Sequence, residues 1–300
     1  MFNGEWTLTY PGCALSMGGN NGTGLPQPIY HFEAPDLGDI NWNVEDAETP
    51  RQDGLSFGTD YHTGRVITFS LAIQAASEAL ALAQLALLAK AWRGDGIRLL
   101  PGAVAELATE NNGRQRMIWG RPRRFGPPVN SSLKSAGLIF VPCDFQCAGQ
   151  QFYALTEDTI TVPFIPPPSG GFTFPITFPL STVGPAVTAG GITVGGEDPA
   201  WPIITINGPI TNPVAAAGGL WTLGLTMTIQ AGQSVTIDTR PWKQTVTRQD
   251  GASFAGKLTR ESRIDKAFLP PGPHSVSLGG VDGTGTSSMN FNWRNTYAGI

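Results

Sequence analysis

Several residue types in this sequence stand at spacings that invite chemistry. Cys143 and Cys147 are spaced Cys-x-x-x-Cys. On a strand, that spacing puts both thiols on one face about 13 Å apart. This is too far for two ligands of one tetrahedral zinc, and no histidine lies nearby, so the pair reads as two small buried apolar side chains. His31, His62 and His274 are scattered, without a nucleophile beside them and without an HExxH or GxSxG motif. They read as structural or solvated histidines. The glycine loop Gly18 to Gly24 lacks the spacing of a dinucleotide fingerprint. No catalytic constellation, metal site or cofactor is expected.

Charge is more suggestive. Glu33 to Asp60 holds eight acids (Glu33, Asp36, Asp39, Glu45, Asp46, Glu48, Asp53 and Asp60) against one base, Arg51. Pairs such as Asp36/Asp39 and Glu45/Asp46 are raw material for glycoside hydrolysis. Calcium is less apt, because DLGDINWNVED lacks the EF-hand order. The stretch also reads as a solvated acidic face or as a protein contact. Arg114, Arg116, Arg121, Arg123 and Arg124 form a basic run around Met117 and Trp119. Arginine and aromatics together suit nucleic acid, but the run is short and the net charge of the chain is −4. An interface reading is preferred, in which arginine forks pair with carboxylates and Arg and Trp act as hot spots. The expected protomer interface comprises Arg114, Arg116, Trp119, Arg121, Arg123 and Arg124 with Glu45, Asp46 and Glu48. Acidic and basic patches in one domain suit head-to-tail rings. Of eight tryptophans, Trp201, Trp221, Trp242 and Trp293 fall in the second half. Trp221 and Trp242 are the candidate glycan contacts if that half is a carbohydrate-binding module; aromatics on strands also pack cores and interfaces.

The elements that must hold these residues are mainly β. Gly 38 and Pro 25 punctuate short hydrophobic runs, and only 14% of residues are charged. Arg65 to Ile73 alternates as a strand, with Ile67, Phe69, Leu71 and Ile73 on one face. A helix is predicted from about Ala75 to Arg93, started at Ser77 and Glu78 and ended at Arg93-Gly94. Its Ala/Leu composition predicts a largely buried helix laid against a sheet. Met117 to Trp119, Gly137 to Cys147 and Thr159 to Phe164 read as further strands. Pro166 to Gly171 reads as a linker, which predicts domains at 1–163 (α+β) and 164–300 (β-sandwich). The first ten residues lack the basic and apolar regions of a secretory signal. The Ala79 to Ala89 stretch is too short to span a membrane.

The C-terminal hundred residues also carry a resemblance. Ile204-Thr-Ile-Asn-Gly-Pro209 with Thr211-Asn-Pro213, Leu223 to Thr228 with Ala231 to Thr239, Leu269-Pro-Pro-Gly272, and Asn292-Trp-Arg294 with Tyr297 stand in the order of one known scaffold. Asn207-Gly208 is expected to supply the positive φ of a hairpin, and Pro270-Pro271-Gly272 to fix a turn. Together these segments resemble the distal tail protein family of siphophages, labelled minor tail proteins in phages of actinobacteria. Gly54 to Gly58, Asp60 and Gly64 to Phe69 resemble it more loosely. The resemblance implies a tail-tube-like N-terminal domain with one helix and a galectin-like C-terminal sandwich. It implies a hexameric ring in the virion tail tip, assembled in the host cytoplasm. The partners implied are the tail tube, the tail hub, the tape measure protein and fibre or receptor-binding proteins. It implies a channel that DNA crosses without stable binding, no membrane insertion, and no enzymatic activity. The alternatives weighed beside it are the carbohydrate-binding module and a polysaccharide hydrolase using the acidic stretch.

Overall fold

The computed structural model describes residues 1, 3–19, 28–31, 33–39, 42–127, 135–165 and 189–300. The glycine loop from residue 20 onward, the Pro166–Gly171 linker and the segment up to residue 188 lie outside them. The described chain is mainly β, with a single α-helix, and divides into two compact units. Unit 1 is Met1–Leu155 with Tyr297–Ile300, and unit 2 is Thr156–Thr296. The strand Asp158–Pro163 belongs to unit 2, where it pairs with Ser288–Trp293.

Unit 1 contains β1 (Trp6–Tyr10), β2 (Cys13–Met17), β3 (Ile29–His31), β4 (Trp42–Asn43), β5 (Ala47–Glu48), β6 (Leu55–Ser56), β7 (Tyr61–His62) and β8 (Val66–Gln74). After these come α1 (Glu78–Arg93), β9 (Ala105–Asn111), β10 (Arg114–Phe125), β11 (Leu138–Cys147) and β12 (Phe152–Ala154). The main sheet runs β2-β1-β9-β10-β11-β8-β3, with β12 paired to β10. It curls nearly closed: the Gly18 amide, just past β2, donates to the Ile29 carbonyl of β3 at 2.9 Å. Period-two alternation decides what faces inward. Ile67, Phe69, Leu71 and Ile73 of β8 and Ile139, Val141, Cys143, Phe145 and Cys147 of β11 are all buried in one core.

The helix starts and stops as its end residues require. Ser77 accepts from the Leu80 amide at 3.4 Å, and Gly94 closes the helix in the left-handed region at φ 63. Its packing departs from expectation. Only Ala81, Leu88, Ala91 and Trp92 are buried, while Leu80 and Leu87 are 54% and 55% exposed. Alanine on most faces lets one narrow stripe settle on the sheet. The remaining leucines then point away, as a 100° rotation per residue demands. Trp92 anchors that stripe, with its indole donating to the Asp144 carbonyl at 3.1 Å.

Unit 2 contains β13 (Asp158–Pro163), β14 (Ala189–Val194), β15 (Ile203–Asn207), β16 (Ile210–Ala217), β17 (Trp221–Gly224) and β18 (Thr228–Ile229). It ends with β19 (Ser234–Asp238), β20 (Thr245–Arg248), β21 (Gly272–Val281) and β22 (Ser288–Trp293). Two sheets, β13-β22-β15-β19-β20 and β14-β21-β16-β17, form a sandwich. Ile204, Ile206, Ile237 and Phe291 on one sheet join Ala215, Val276 and Leu278 on the other in a single core. On the outer face, Thr161, Asn290, Thr205, Thr236 and Thr247 stand in one row across five strands. Such rows of uncharged polar side chains account for the low charge of this half.

One expected hairpin turn serves differently. β15 and β16 lie in different sheets, so Asn207-Gly208 is not a hairpin. Neither residue takes a positive φ, and the chain crosses the sandwich at a cis Gly208–Pro209 bond. Glycine is required there because a Cβ would press on the Gln230 carbonyl. Gly232 does turn at φ 76, but it also links strands of opposite sheets.

Candidate protein-interaction site

The acidic stretch folds into a two-part hairpin arm. Trp42 pairs with His62 and Asn43 with Tyr61; farther out, Ala47 pairs with Ser56 and Glu48 with Leu55. The root is stiffened by the Trp42 and His62 rings, 3.9 Å between centroids. The middle is pinned by the Gly58 amide donating to Asp46 Oδ1 at 3.1 Å. Glu45, Asp46 and Glu48 are all exposed on this arm. So are Trp42, Val44, Leu55, Phe57 and Tyr61, with Phe57 reaching 83% exposure. Five large apolar side chains are thus exposed on one hairpin among its acids, the kind of patch that marks candidate interaction surfaces. Reading the charges alone missed them. The available signal was the presence of Trp, Val, Leu, Phe and Tyr inside an acidic segment.

The arginine run lies along β10, but its members do different things. Arg121 faces back into the fold, donating from Nε to the Ala103 carbonyl and from Nη2 to the Leu100 carbonyl, each at 2.6 Å. Arg116 lies 3.5 Å from the Tyr297 ring centroid and donates to the Gln115 carbonyl at 3.1 Å. Trp119 is only 5% exposed and sits 4.4 Å from Tyr153. Arg124 reaches Asp144 at 4.0 Å. Arg114 and Arg123 are exposed. The register shift between Pro122 and Phe125 turns consecutive Arg123 and Arg124 outward together. The structure therefore splits the run into inward and outward arginines. It shows no ion pair in this chain between them and Glu45, Asp46 or Glu48 among the described residues.

A second surface sits beside α1. The β1–β2 turn and the C-terminal half of the helix enclose a groove of about 400 Å³, lined by Tyr10, Cys13, Leu15, Leu87, Lys90 and Ala91 among others. Its floor is fixed by Tyr10, whose hydroxyl donates to the Ala91 carbonyl at 2.6 Å. Burial, then the hydrogen bond to Cys13, raises the Tyr10 hydroxyl far above the ordinary tyrosine range. Past the helix, Arg93 and Arg98 share Asp95 at 2.6 and 3.0 Å.

The other sequence candidates are inside the fold. Cys143 and Cys147 are buried on β11, and burial pushes the Cys147 thiol up to about 12. Burial likewise lowers His31 to about 4, against Phe69. Among the described residues no three His, Cys, Asp or Glu side chains gather as a metal site. Trp221 donates its indole N–H to the Phe268 carbonyl at 2.8 Å and stacks on Phe291. Trp242 is half-buried, with the Arg240 guanidinium 5.8 Å from its ring.

Fold and site define a class: a mainly β chain of two units, one a curled sheet with a single helix and a projecting arm, the other a β-sandwich. Solved structures share this fold. The Dit protein of phage SPP1, described as a paradigm of the hub adsorption apparatus in phages infecting Gram-positive bacteria, matches with a TM-score of 0.58 and 12% identity. That match covers 97% of this chain and 98% of the other. A chain of the phage P2 baseplate in its activated conformation with calcium matches at 0.52 and 11% identity, over 96% of this chain and 97% of the other. The same baseplate with strontium matches equally. No family model and no curated protein matches the sequence.

Proposed function

We propose that this chain is a structural protein of a siphophage tail tip, of the distal tail type. Six copies form a ring that joins the tail tube to the tail hub or baseplate and anchors fibre or receptor-binding proteins. The observation that carries this reading is the end-to-end likeness of fold to the SPP1 Dit protein, over 97% of this chain and 98% of that one. A shared sandwich alone would leave unit 1 unmatched. In this reading unit 1 is the tail-tube-like ring former and unit 2 is a galectin-like sandwich. The tape measure protein is the further partner, and DNA crosses the ring without stable binding.

Unit 1 offers the surfaces a ring needs. The acidic, apolar arm and the basic residues elsewhere on the unit are different patches, as a heterologous contact requires. Native mass spectrometry and negative-stain imaging of the full chain test the proposal, with a six-membered ring expected. A chain that remains monomeric, alone and in the presence of isolated tail tubes, overturns it.

A further inference from the structure

We propose that Asn112 is a site of self-modification: the neighbouring Gly113 nitrogen displaces its side-chain amide, leaving aspartate or isoaspartate in the β9–β10 turn. Asparagine precedes glycine at Asn3, Asn21, Asn112 and Asn207. Asn21 lies outside the described residues. The other three share the same leaving group and the same small neighbour. What separates them is whether the glycine nitrogen is free to attack.

In two of them it is engaged. The Gly4 amide donates to the Glu110 carbonyl at 2.8 Å, and the Gly208 amide to the Gln233 carbonyl at 3.0 Å. Asn207 is itself held, with Nδ2 donating to Ser288 Oγ at 3.2 Å. Gly113 differs. Asn111 pairs with Arg114 across a two-residue loop, and both residues inside it take positive φ, 51 at Asn112 and 78 at Gly113. Among the described residues no acceptor meets the Gly113 amide. Asn112 and Gly113 are both exposed, and no atom lies within 4 Å of where a Cβ on Gly113 would stand. Nucleophile and target are thus adjacent, unbonded and uncrowded.

The step balances with water alone. The Gly113 nitrogen gives its proton to solvent and forms a bond to Asn112 Cγ. The Cγ–Nδ2 bond breaks, and Nδ2 takes up a proton and leaves as ammonia. Water then opens the cyclic imide at either carbonyl. One opening restores the main chain with an aspartate; the other routes the main chain through Cβ as isoaspartate. Neither needs an oxidant or reductant.

The change falls where the N-terminal segment is clipped to the sheet. The Asn112 amide donates to Asn3 Oδ1 at 3.0 Å. The Glu110 carbonyl accepts from Gly4, and the Glu110 amide donates to the Glu5 carbonyl at 3.3 Å. An isoaspartyl link lengthens a loop whose ladder allows only two residues, and it adds a carboxylate close to Glu110 in sequence. Turn and clip are therefore expected to loosen together.

The full-length protein is incubated in mildly alkaline buffer, native and in denaturant. Each Asn-Gly peptide is then followed by mass spectrometry, with isoaspartate scored by electron-transfer fragmentation. In the native protein Asn112 is expected to convert about tenfold or more faster than Asn3 and Asn207, because each of those must first open a hydrogen bond. In denaturant the three are expected to converge. Converted protein is expected to exchange amide hydrogens faster in the peptide spanning 3–5. Asn111→Thr with Asn112→Gly keeps a turn of permitted positive φ with no amide to lose, and should show no such ageing. A native Asn112 that converts no faster than Asn207, or a preference that persists in denaturant, overturns the assignment. Unchanged exchange at 3–5 in fully converted protein overturns the loosening.

Discussion

Replacing Arg121 by Met separates an inward arginine from an interfacial one. The side chain keeps its apolar stem and loses two charge-assisted hydrogen bonds, to Ala103 and Leu100. A bond to a charged group contributes roughly 1.5–3 kcal/mol when shielded. The Ala103 bond is part-buried and the Leu100 bond exposed, so the first takes the lower part of that range and the second much less. The expected loss is about 2 kcal/mol, a fall of about 6 °C in the melting of a unit of this size. The affected segment is specific. Leu100 and Ala103 belong to the turns after α1, where the Leu100 amide bonds Ile97 and the Ala103 amide bonds Leu100. Amide hydrogen exchange in the peptide spanning 97–104 is therefore expected to accelerate by about tenfold or more, while β11 is unaffected. Both readouts are taken on the monomer. Unchanged melting and unchanged exchange, combined with lost assembly, would refute the inward role and restore Arg121 to the ring contact.

Further outcomes follow from other sites. His31 is lowered from 6.5 to about 4 by burial, so the unfolded chain takes up a proton before the folded one. Stability is then full above about pH 6.5 and falls as pH drops toward 4, by about 3 kcal/mol in all; denaturant midpoints at pH 7 and 4.5 check this, and His31→Gln should flatten the difference. Arg123→Glu with Arg124→Glu is expected to weaken ring assembly, measured by sedimentation at low and high salt; unchanged assembly in both would remove these exposed arginines of β10 from the ring contact. Trp221→Ala removes the Phe268 bond and a ring packed against the sandwich core, and should destabilise unit 2 by about 3 kcal/mol in denaturant titration. Glycan binding is therefore tested on Trp242→Ala, where a lost signal with unchanged melting would favour a lectin role.

Much of the scaffold was legible because its signals are local. β8 and β11 alternate over nine and ten residues, and one face of each is almost wholly apolar. Ser77 and Gly94 bracket α1 because capping depends on a side-chain oxygen at one end and a left-handed φ at the other. Asn207-Gly208 misled because the same dipeptide suits a hairpin and a close backbone approach; which one occurs depends on whether the partner strand is in the same sheet. The exposure of α1 was illegible for a related reason. Ala/Leu repeats have a weak polar face, so periodicity cannot say which stripe meets the sheet.

The placement of the candidate side chains was only partly legible, and what was missing has a physical cause. Charge clusters stand out in sequence, yet their use depends on the register that places each head group. On β10, alternation sends Arg116 to Tyr297 and Arg121 to the carbonyls after α1, while the shift at Pro122 frees Arg123 to point outward. Exposed apolar side chains hide in the opposite way. Phe57 has Leu55 two residues before it and Tyr61 four after it, yet all three are exposed, so periodicity alone did not mark them as surface residues. Trp42 and Val44 are exposed on the same arm. An arm that carries both acids and exposed apolar side chains suits a contact with another protein, in which charge steers the encounter and apolar area holds it.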